Sequence, residues 1–206
     1  MIATGVNEEG YHEILGIMLG DGESQASWSE FFNWLKQLDL RGVDVVVSDS
    51  HSGLVKALHA CFQGATWQRC QTHFMQNFMD ASPKHLQAEL YGKVRAILDA
   101  PDRVTARLLM NKGVSDYEEK APKAIQSLEN GFDDITTVLV LPERYRKHLR
   151  TTNCVERLNE GIRRRDRVIR IYPNRYFVER LIGALLMVMD EKWQTVHRYL
   201  DMQENF

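Results

Sequence analysis

The chain has only three cysteines, Cys61, Cys70 and Cys154, in 206 residues. They suggest no disulfide framework, which argues against a small secreted fold that depends on one. Long hydrophobic runs are missing too. The longest, residues 181–189, is too short to span a bilayer. Met1 leads into Ile2-Ala3-Thr4-Gly5 rather than into a basic segment and an apolar stretch, so no signal peptide is expected. These absences together favour a reduced, cytoplasmic compartment with no membrane partner. There is no internal repeat and no low-complexity linker. No glycine-rich phosphate loop follows a predicted strand, which weakens a nucleotide-binding α/β reading. A net charge of one sign is also missing, since the formal charge is −2.

That near-neutral total conceals an asymmetry. Between Arg144 and Arg180 stand twelve basic residues and four acidic ones, so this segment carries about +8 and the remainder about −10. A concentrated basic stretch on a near-neutral chain is the footprint expected for a nucleic-acid phosphate backbone. The length suits one large domain, or one domain with a substantial insertion. Apolar content of 44% and charged content of 26% are those of a globular protein.

Residues 2–6 and 11–19 read as two strands around the turn signal Asn7-Glu8-Glu9-Gly10, a hairpin. Ser24 is a plausible N-cap for a helix over 25–38. There Trp28, Phe31, Phe32 and Leu35 make one apolar stripe at i, i+3, i+4 and i+7. The run Asp44-Val45-Val46-Val47-Ser48-Asp49 is continuous and β-branched, as in a strand covered on both faces. A helix over 54–61 follows. Strand, helix and buried strand in this order indicate an α/β core. Helical periodicity then covers 74–81, 83–98, 101–114 and 117–130, with Pro83, Pro101 and Pro122 near helix starts. Residues 133–141 suit helix or strand equally. Helices over 151–165 and 176–193 close the chain.

Three stretches carry residues suited to chemistry. Asp49 ends the valine strand, and sites in open α/β sheets form at the carboxyl ends of strands. It also suits an Asx-turn or a cap of the next helix. The stretch TTNCVERLNEGIRRR, residues 151–165, sets Val155, Leu158 and Ile162 on one face and Asn153, Glu156, Glu160 and Arg163 on the next. Arg164, Arg165, Arg167 and Arg170 continue the cluster. The same pattern fits a solvated helix with ordinary Glu–Arg pairs. Carboxylates beside arginines also suit an enzyme that cuts a polyanion, because hard oxygen ligands hold Mg²⁺ or Mn²⁺ and such ions activate phosphodiester chemistry. In WQRCQTH, Cys70 and His73 have the spacing of half a zinc site. A closed site needs four ligands, and only Cys61, His51 or His59 are available to add. The favoured reading is a small buried Cys70, with His73 starting a helix near the carboxylates.

These motifs resemble one family. GVNEEGYHEILG, SDSHSGL, WQRCQTHFMQN, TTNCVERLNEGIRRR followed by IRIYPN, and LIGALLMVMDEKWQTVHRYL occur in one order along essentially the whole chain. Together they resemble the Mutator-type transposases of bacterial insertion sequences. The resemblance implies an α/β, ribonuclease H-like (retroviral integrase-like) catalytic core with a mostly helical insertion between the second and third catalytic acids. Residues 1–66 would be the partial core carrying the second acid, 67–150 the insertion, and 151–206 the C-terminal helices of the core. Asp49 would be the second acid and Glu156 the third, in an N-x-x-E-R setting with Asn153 and Arg157. Both would bind Mg²⁺ or Mn²⁺. Cys70 and His73 match the family's C-x-x-H signature as supporting residues. Arg157, Arg163, Arg164, Arg165, Arg167 and Arg170 would contact transposon or target DNA. The protein would act in the cytoplasm at the bacterial nucleoid, as a homo-oligomer when full length. The first catalytic aspartate should lie on a strand before residues 2–6. The core is therefore expected to be incomplete, with exposed sheet edges, and the chain to be N-terminally truncated and inactive alone.

The competing reading is a basic DNA-binding protein without chemistry. Asp49 and Glu156 in their motif settings favour the enzyme.

Overall fold

The computed structural model describes residues 1–20, 22–169, 174–196 and 198–202, with 166, 168, 169, 175 and 196 described by their backbone alone. The chain divides into two compact units. One comprises Met1–Val43, His51–Gln63 and Asn153–Phe206, and the other Asp44–Ser50 and Gly64–Thr152.

The first unit opens with strands β1 (Ile2–Val6) and β2 (His12–Ile17), paired antiparallel as the hairpin reading expects. Asn7 builds the turn. Its Oδ1 accepts the backbone N–H groups of Glu9 at 3.1 Å and Tyr11 at 3.0 Å, the Asx geometry that makes asparagine a turn former. Gly10 has φ +88°, and a Cβ there would lie 2.0 Å from the Leu200 carbonyl oxygen. The close approach is held by two bonds, since the N–H groups of Tyr199 and Leu200 both donate to the Gly10 carbonyl, at 2.7 and 3.1 Å. The register shifts between Ala3 and Thr4, whose partners are Gly16 and Ile14, so Leu15 is the extra residue of a bulge.

Helix α1 (Gln25–Gln37) starts at Ser24, whose hydroxyl accepts the Ser27 N–H at 3.1 Å. Its stripe buries Phe31, Phe32 and Leu35, while Trp28 is half-buried at the rim. Helix α2 (Ser52–Cys61) packs against α1 through Leu54, Ala57 and Leu58. Two long helices complete this unit: α8 (Asn153–Ile169) and α9 (Arg175–Val196). Helix α9 lies on β2, and the Asp190 carboxylate takes the Ile14 N–H at 2.7 Å.

The second unit holds a parallel pair, β3 (Val45–Ser48) and β4 (Thr66–Arg69), in register from Val45 opposite Thr66 to Ser48 opposite Arg69. The valines of β3 are half-buried, not covered on both faces as their run suggests. In a two-stranded sheet each side chain has a strand neighbour on one side only, so burial stays partial. Strand β4 is not evident from the sequence, because Thr-Trp-Gln-Arg has no apolar alternation and its buried residue is Gln68.

Helices α3 (Gln71–Ala81), α4 (Gln87–Leu98), α5 (Arg103–Tyr117), α6 (Pro122–Thr136) and the short α7 (Glu143–Arg146) follow. Phe74, Phe78, Leu90, Val94, Ile97, Met110, Leu128, Phe132 and Ile135 belong to the common core of α3 to α6. Asp102 caps α5 by accepting the Thr105 N–H at 2.7 Å. The border between α5 and α6 lies at 118–121, not at 115–116, because buried Tyr117 keeps the last turn of α5 packed and Pro122 opens α6 at a position that needs no N–H. The ambiguous stretch after Asp133 is helical, ending in a 3-10 turn, Thr137–Val140. Thr136 and Thr137 bond back to the carbonyls of Phe132 and Asp133, at 2.7 and 2.9 Å, which holds β-branched residues in a helical conformation.

Candidate active site and nucleic-acid interface

Asp49 directly follows β3, and its side chain is exposed. Its backbone is fixed by Ser48, whose hydroxyl donates to the Asp49 carbonyl at 2.8 Å and accepts the Trp67 indole N–H at 2.9 Å. Across the ladder, the Cys70 N–H donates to the Ser48 carbonyl at 2.7 Å. The carboxyl ends of β3 and β4 therefore lie side by side, and Asp49 and the first turn of α3 emerge from one edge. This is the edge at which α/β sheets form sites.

Arg69 ends β4 at that edge. Its guanidinium carbon sits 5.0 Å over the Phe74 ring, and its Nε is buried without a hydrogen-bond partner among the described residues. Burial lowers its pKa, and the carboxylates of Asp134 and Asp49 oppose that shift. Arg69 thus belongs electrostatically to Asp49's surroundings. Sequence reasoning did not single it out, although it lies inside the WQRCQTH motif.

Cys70 is the N-cap residue of α3 and is fully buried, as expected. Its Sγ and a ring nitrogen of His73 lie within 4.8 Å of each other, so the C-x-x-H spacing does place two ligand-type atoms together on one helical turn. Gln68 and Gln71 hold this corner in place. Gln68 accepts the Val138 N–H at 2.7 Å and donates to the Ile135 carbonyl at 3.1 Å, and Gln71 donates to the same carbonyl at 2.9 Å.

The other unit carries the arginine-rich helix. On α8, Leu158 is fully buried and Gly161 is buried, while Val155 and Ile162 are half-buried. Asn153, Glu156, Arg157, Glu160, Arg163, Arg164, Arg165 and Arg167 are exposed or partly so. Glu156 sits in the first turn, where a carboxylate suits the helix dipole. Arg170 lies outside the described residues. Burial pushes the Cys154 thiol up, against the pull of Arg157. Asp49 belongs to one unit and Glu156 to the other.

A groove of about 240 Å³ runs between α8 and α9, lined by Arg157, Gly161, Arg164 and Arg165 on one side and by Leu185, Val188, Met189, Lys192 and Trp193 on the other. Lys192 and Trp193 were not foreseen. Their spacing of seven and eight residues from Leu185 was the available signal, but it does not say what α9 faces.

Not all of the basic segment is free for a ligand. Arg146 donates to the carbonyls of Leu141 at 2.8 Å and Pro101 at 2.6 Å, and Arg150 pairs with Asp99 at 2.8 Å. The exposed charge is concentrated on α8. Among the described residues, no helix is long and apolar enough to cross a membrane.

Residues 1–196 match the model of the Mutator family of transposases. The chain belongs to that family. It is 40% identical over 194 residues to the transposase for insertion sequence element IS256 in transposon Tn4001 of Staphylococcus aureus, covering 93% of this chain and 50% of that protein. It is 36% identical over 203 residues to the transposase for insertion sequence element IS1081 of Mycobacterium tuberculosis, covering 98% and 49%. It is 35% identical over 204 residues to the transposase for insertion sequence element ISRM5 of Rhizobium meliloti, covering 99% and 51%. The chain spans about half the length of the curated relatives it matches.

Proposed function

We propose that this chain supplies catalytic residues for metal-dependent DNA strand cleavage and transfer in the transposition of an insertion sequence. The observation that carries this reading is family membership across residues 1–196. The relatives named above are insertion-sequence transposases, and transposition acts on DNA. The fold proposed for the catalytic part is ribonuclease H-like, with helices α3 to α7 as the insertion.

Asp49 and Glu156 are the proposed acids. One carboxylate stands at a strand's carboxyl end and the other in the first turn of a basic helix. Hard carboxylate oxygens of this kind fit Mg²⁺ or Mn²⁺. Asp49 and Glu156 would hold such an ion, whose chemistry, when bound, would be to activate the attacking oxygen and stabilise the leaving one. The chain's own residues do the remaining work. Ser48 fixes the backbone from which Asp49 projects. Arg157, Arg163, Arg164, Arg165 and Arg167 hold the phosphate backbone, and Asn153 opens the helix that presents Glu156.

Iron-mediated self-cleavage tests the metal assignment without relying on turnover. Fe²⁺ substituted for Mg²⁺, with ascorbate and peroxide, is expected to cut the polypeptide near residues 49 and 156. Asp49→Ala and Glu156→Ala should each abolish the cuts, and Asp44→Ala should leave them. Cuts confined to other regions, or cuts unaffected by both substitutions, would remove these two residues from the metal site.

A further inference from the structure

The α8–α9 groove differs from an ordinary phosphate-binding surface. Its charge comes from both walls, with Arg157, Arg164 and Arg165 on α8 and Lys192 on α9. Among the described residues no acidic side chain lines it. The acid that α9 turns toward the hairpin, Asp190, is occupied by the Ile14 N–H and by the Gln194 amide at 2.7 Å. Leu185, Val188, Met189 and Trp193 add an apolar lining beside the cations. Trp193 is half-buried and held by His12, whose ring centroid lies 5.3 Å away. The indole is thus in contact with the hairpin while it also lines the groove.

Duplex DNA presents phosphates outward and keeps its base faces stacked inside. An aromatic surface in a groove lined by cations cannot reach those faces. An unpaired nucleotide offers both, a phosphate for the arginines and a free π-face for the indole. Proteins that bind single strands combine these same two elements, a cationic groove and an aromatic platform.

We propose that the α8–α9 groove binds an unpaired stretch of DNA, with a base stacked on Trp193 and the flanking phosphates held by Arg157, Arg164, Arg165 and Lys192. This rests on the DNA-binding part of the function proposed above and adds the form of DNA and the residues on α9. Lys192 carries the cationic lining from α8 onto α9, so a strand in the groove meets both helices. Arginines on the exposed face of α8 remain open to duplex and single strand alike.

The test uses the whole chain and a short mixed-sequence oligodeoxynucleotide, single-stranded or annealed to its complement. Trp193→Leu should weaken single-strand binding about tenfold, since base–aromatic stacking contributes roughly 1–3 kcal/mol and about 1.4 kcal/mol is a factor of ten. Duplex affinity should stay within about twofold. Lys192→Ala, an exposed position that does not threaten the fold, should show the same preference at smaller size. A third measurement needs no substitution. Photocrosslinking of the unmodified chain to a single strand carrying 5-iododeoxyuridine should label the peptide containing Trp193. Duplex and single strand bound equally, with both variants unchanged and no crosslink at Trp193, would overturn the groove proposal and leave general DNA binding intact. No binding of either form would overturn both.

Discussion

The Cys70 thiol accepts two hydrogen bonds from Thr152, from its N–H at 3.4 Å and its hydroxyl at 3.3 Å. A residue at the start of α3 is thereby tied to one 82 positions later, just before α8 begins. Nearby, the Gln71 N–H donates to the Arg150 carbonyl at 2.9 Å. The cysteine of the C-x-x-H motif therefore anchors the segment leading toward Glu156, in addition to any role as a ligand.

Cys70→Ala removes both bonds and leaves the Thr152 N–H without this partner. The expected cost is roughly 0.5–1.5 kcal/mol for each bond lost, read from urea unfolding. Because Cys70 is fully buried and Cys61 is half-buried, a thiol reagent should modify Cys61 in the native protein long before Cys70. Equal rates at the two sites would contradict the anchoring role.

Gly131 is the place where the Arg69 corner is most sensitive. A Cβ at this position would lie 2.7 Å from Phe74 Cε2 and 3.1 Å from Arg69 Nη1. Phe74 is fully buried and cannot swing away, so Gly131→Ala must displace the ring or the guanidinium. Overpacking of this kind costs roughly 1–3 kcal/mol. Thermal unfolding should show a clear loss, while Gly113→Ala, where an added Cβ meets no atom within 4 Å, should be neutral or mildly stabilising. If Gly131→Ala behaves like Gly113→Ala, Arg69 is not confined as described.

Much of the fold was legible because its elements have strong patterns. The hairpin followed from two apolar stretches around an Asn-Glu-Glu-Gly turn. Helix α1 followed from its aromatic stripe, and β3 from three consecutive valines. Elements without a local pattern were missed. Strand β4 is four residues long and buries a glutamine, whose bonds to Ile135 and Val138 exist only once α6 has folded beside it. The site divides in the same way. Asp49 and the exposed face of α8 were readable from strand end and helical period. Arg69's setting depends on Phe74, Gly131 and Asp134, and that of Lys192 on the facing helix α8. No window around Arg69 or Lys192 contains that information.

Glu13 gives a pH-dependent prediction within the first unit. Burial raises its carboxyl above the ordinary carboxylate value, and the Asp190 carboxylate adds to the rise while Asn7 works against it. A raised folded-state pKa means that the folded chain holds this proton more tightly than the unfolded one. Stability from this group is then present at low pH and lost as pH rises through the folded pKa. Ionised Glu13 therefore opposes folding at neutral pH. Glu13→Gln should raise the Tm at neutral pH, and the gain should vanish below the usual carboxylate range. A gain of equal size at every pH would point to a cause other than ionisation.

The arginines of α8 provide the sharpest test of where the basic charge acts. If their role were structural, they would be engaged by acids such as Glu118, Glu119 or Asp133. Asp133 already has two partners, Arg103 and Arg107, each at 2.6 Å. Those pairs hold the Asp133 carboxyl below its usual range, the hydrogen bond from Arg103 contributing most. Arg164 and Arg165, by contrast, are exposed on a helix whose acidic residues are outnumbered. Each phosphate neutralised by such a residue releases condensed counterions, so binding should fall steeply with salt. Replacing Arg164 and Arg165 together with alanine is expected to weaken binding to all DNA sequences alike. It should also reduce the slope of log affinity against log salt by about one unit for each phosphate left without its arginine. Replacing Arg103 and Arg107 together should leave affinity and slope unchanged while lowering stability. A filter-binding titration across a salt series separates the two pairs. If the first pair leaves the slope untouched, the arginines of α8 serve the helix rather than a nucleic acid.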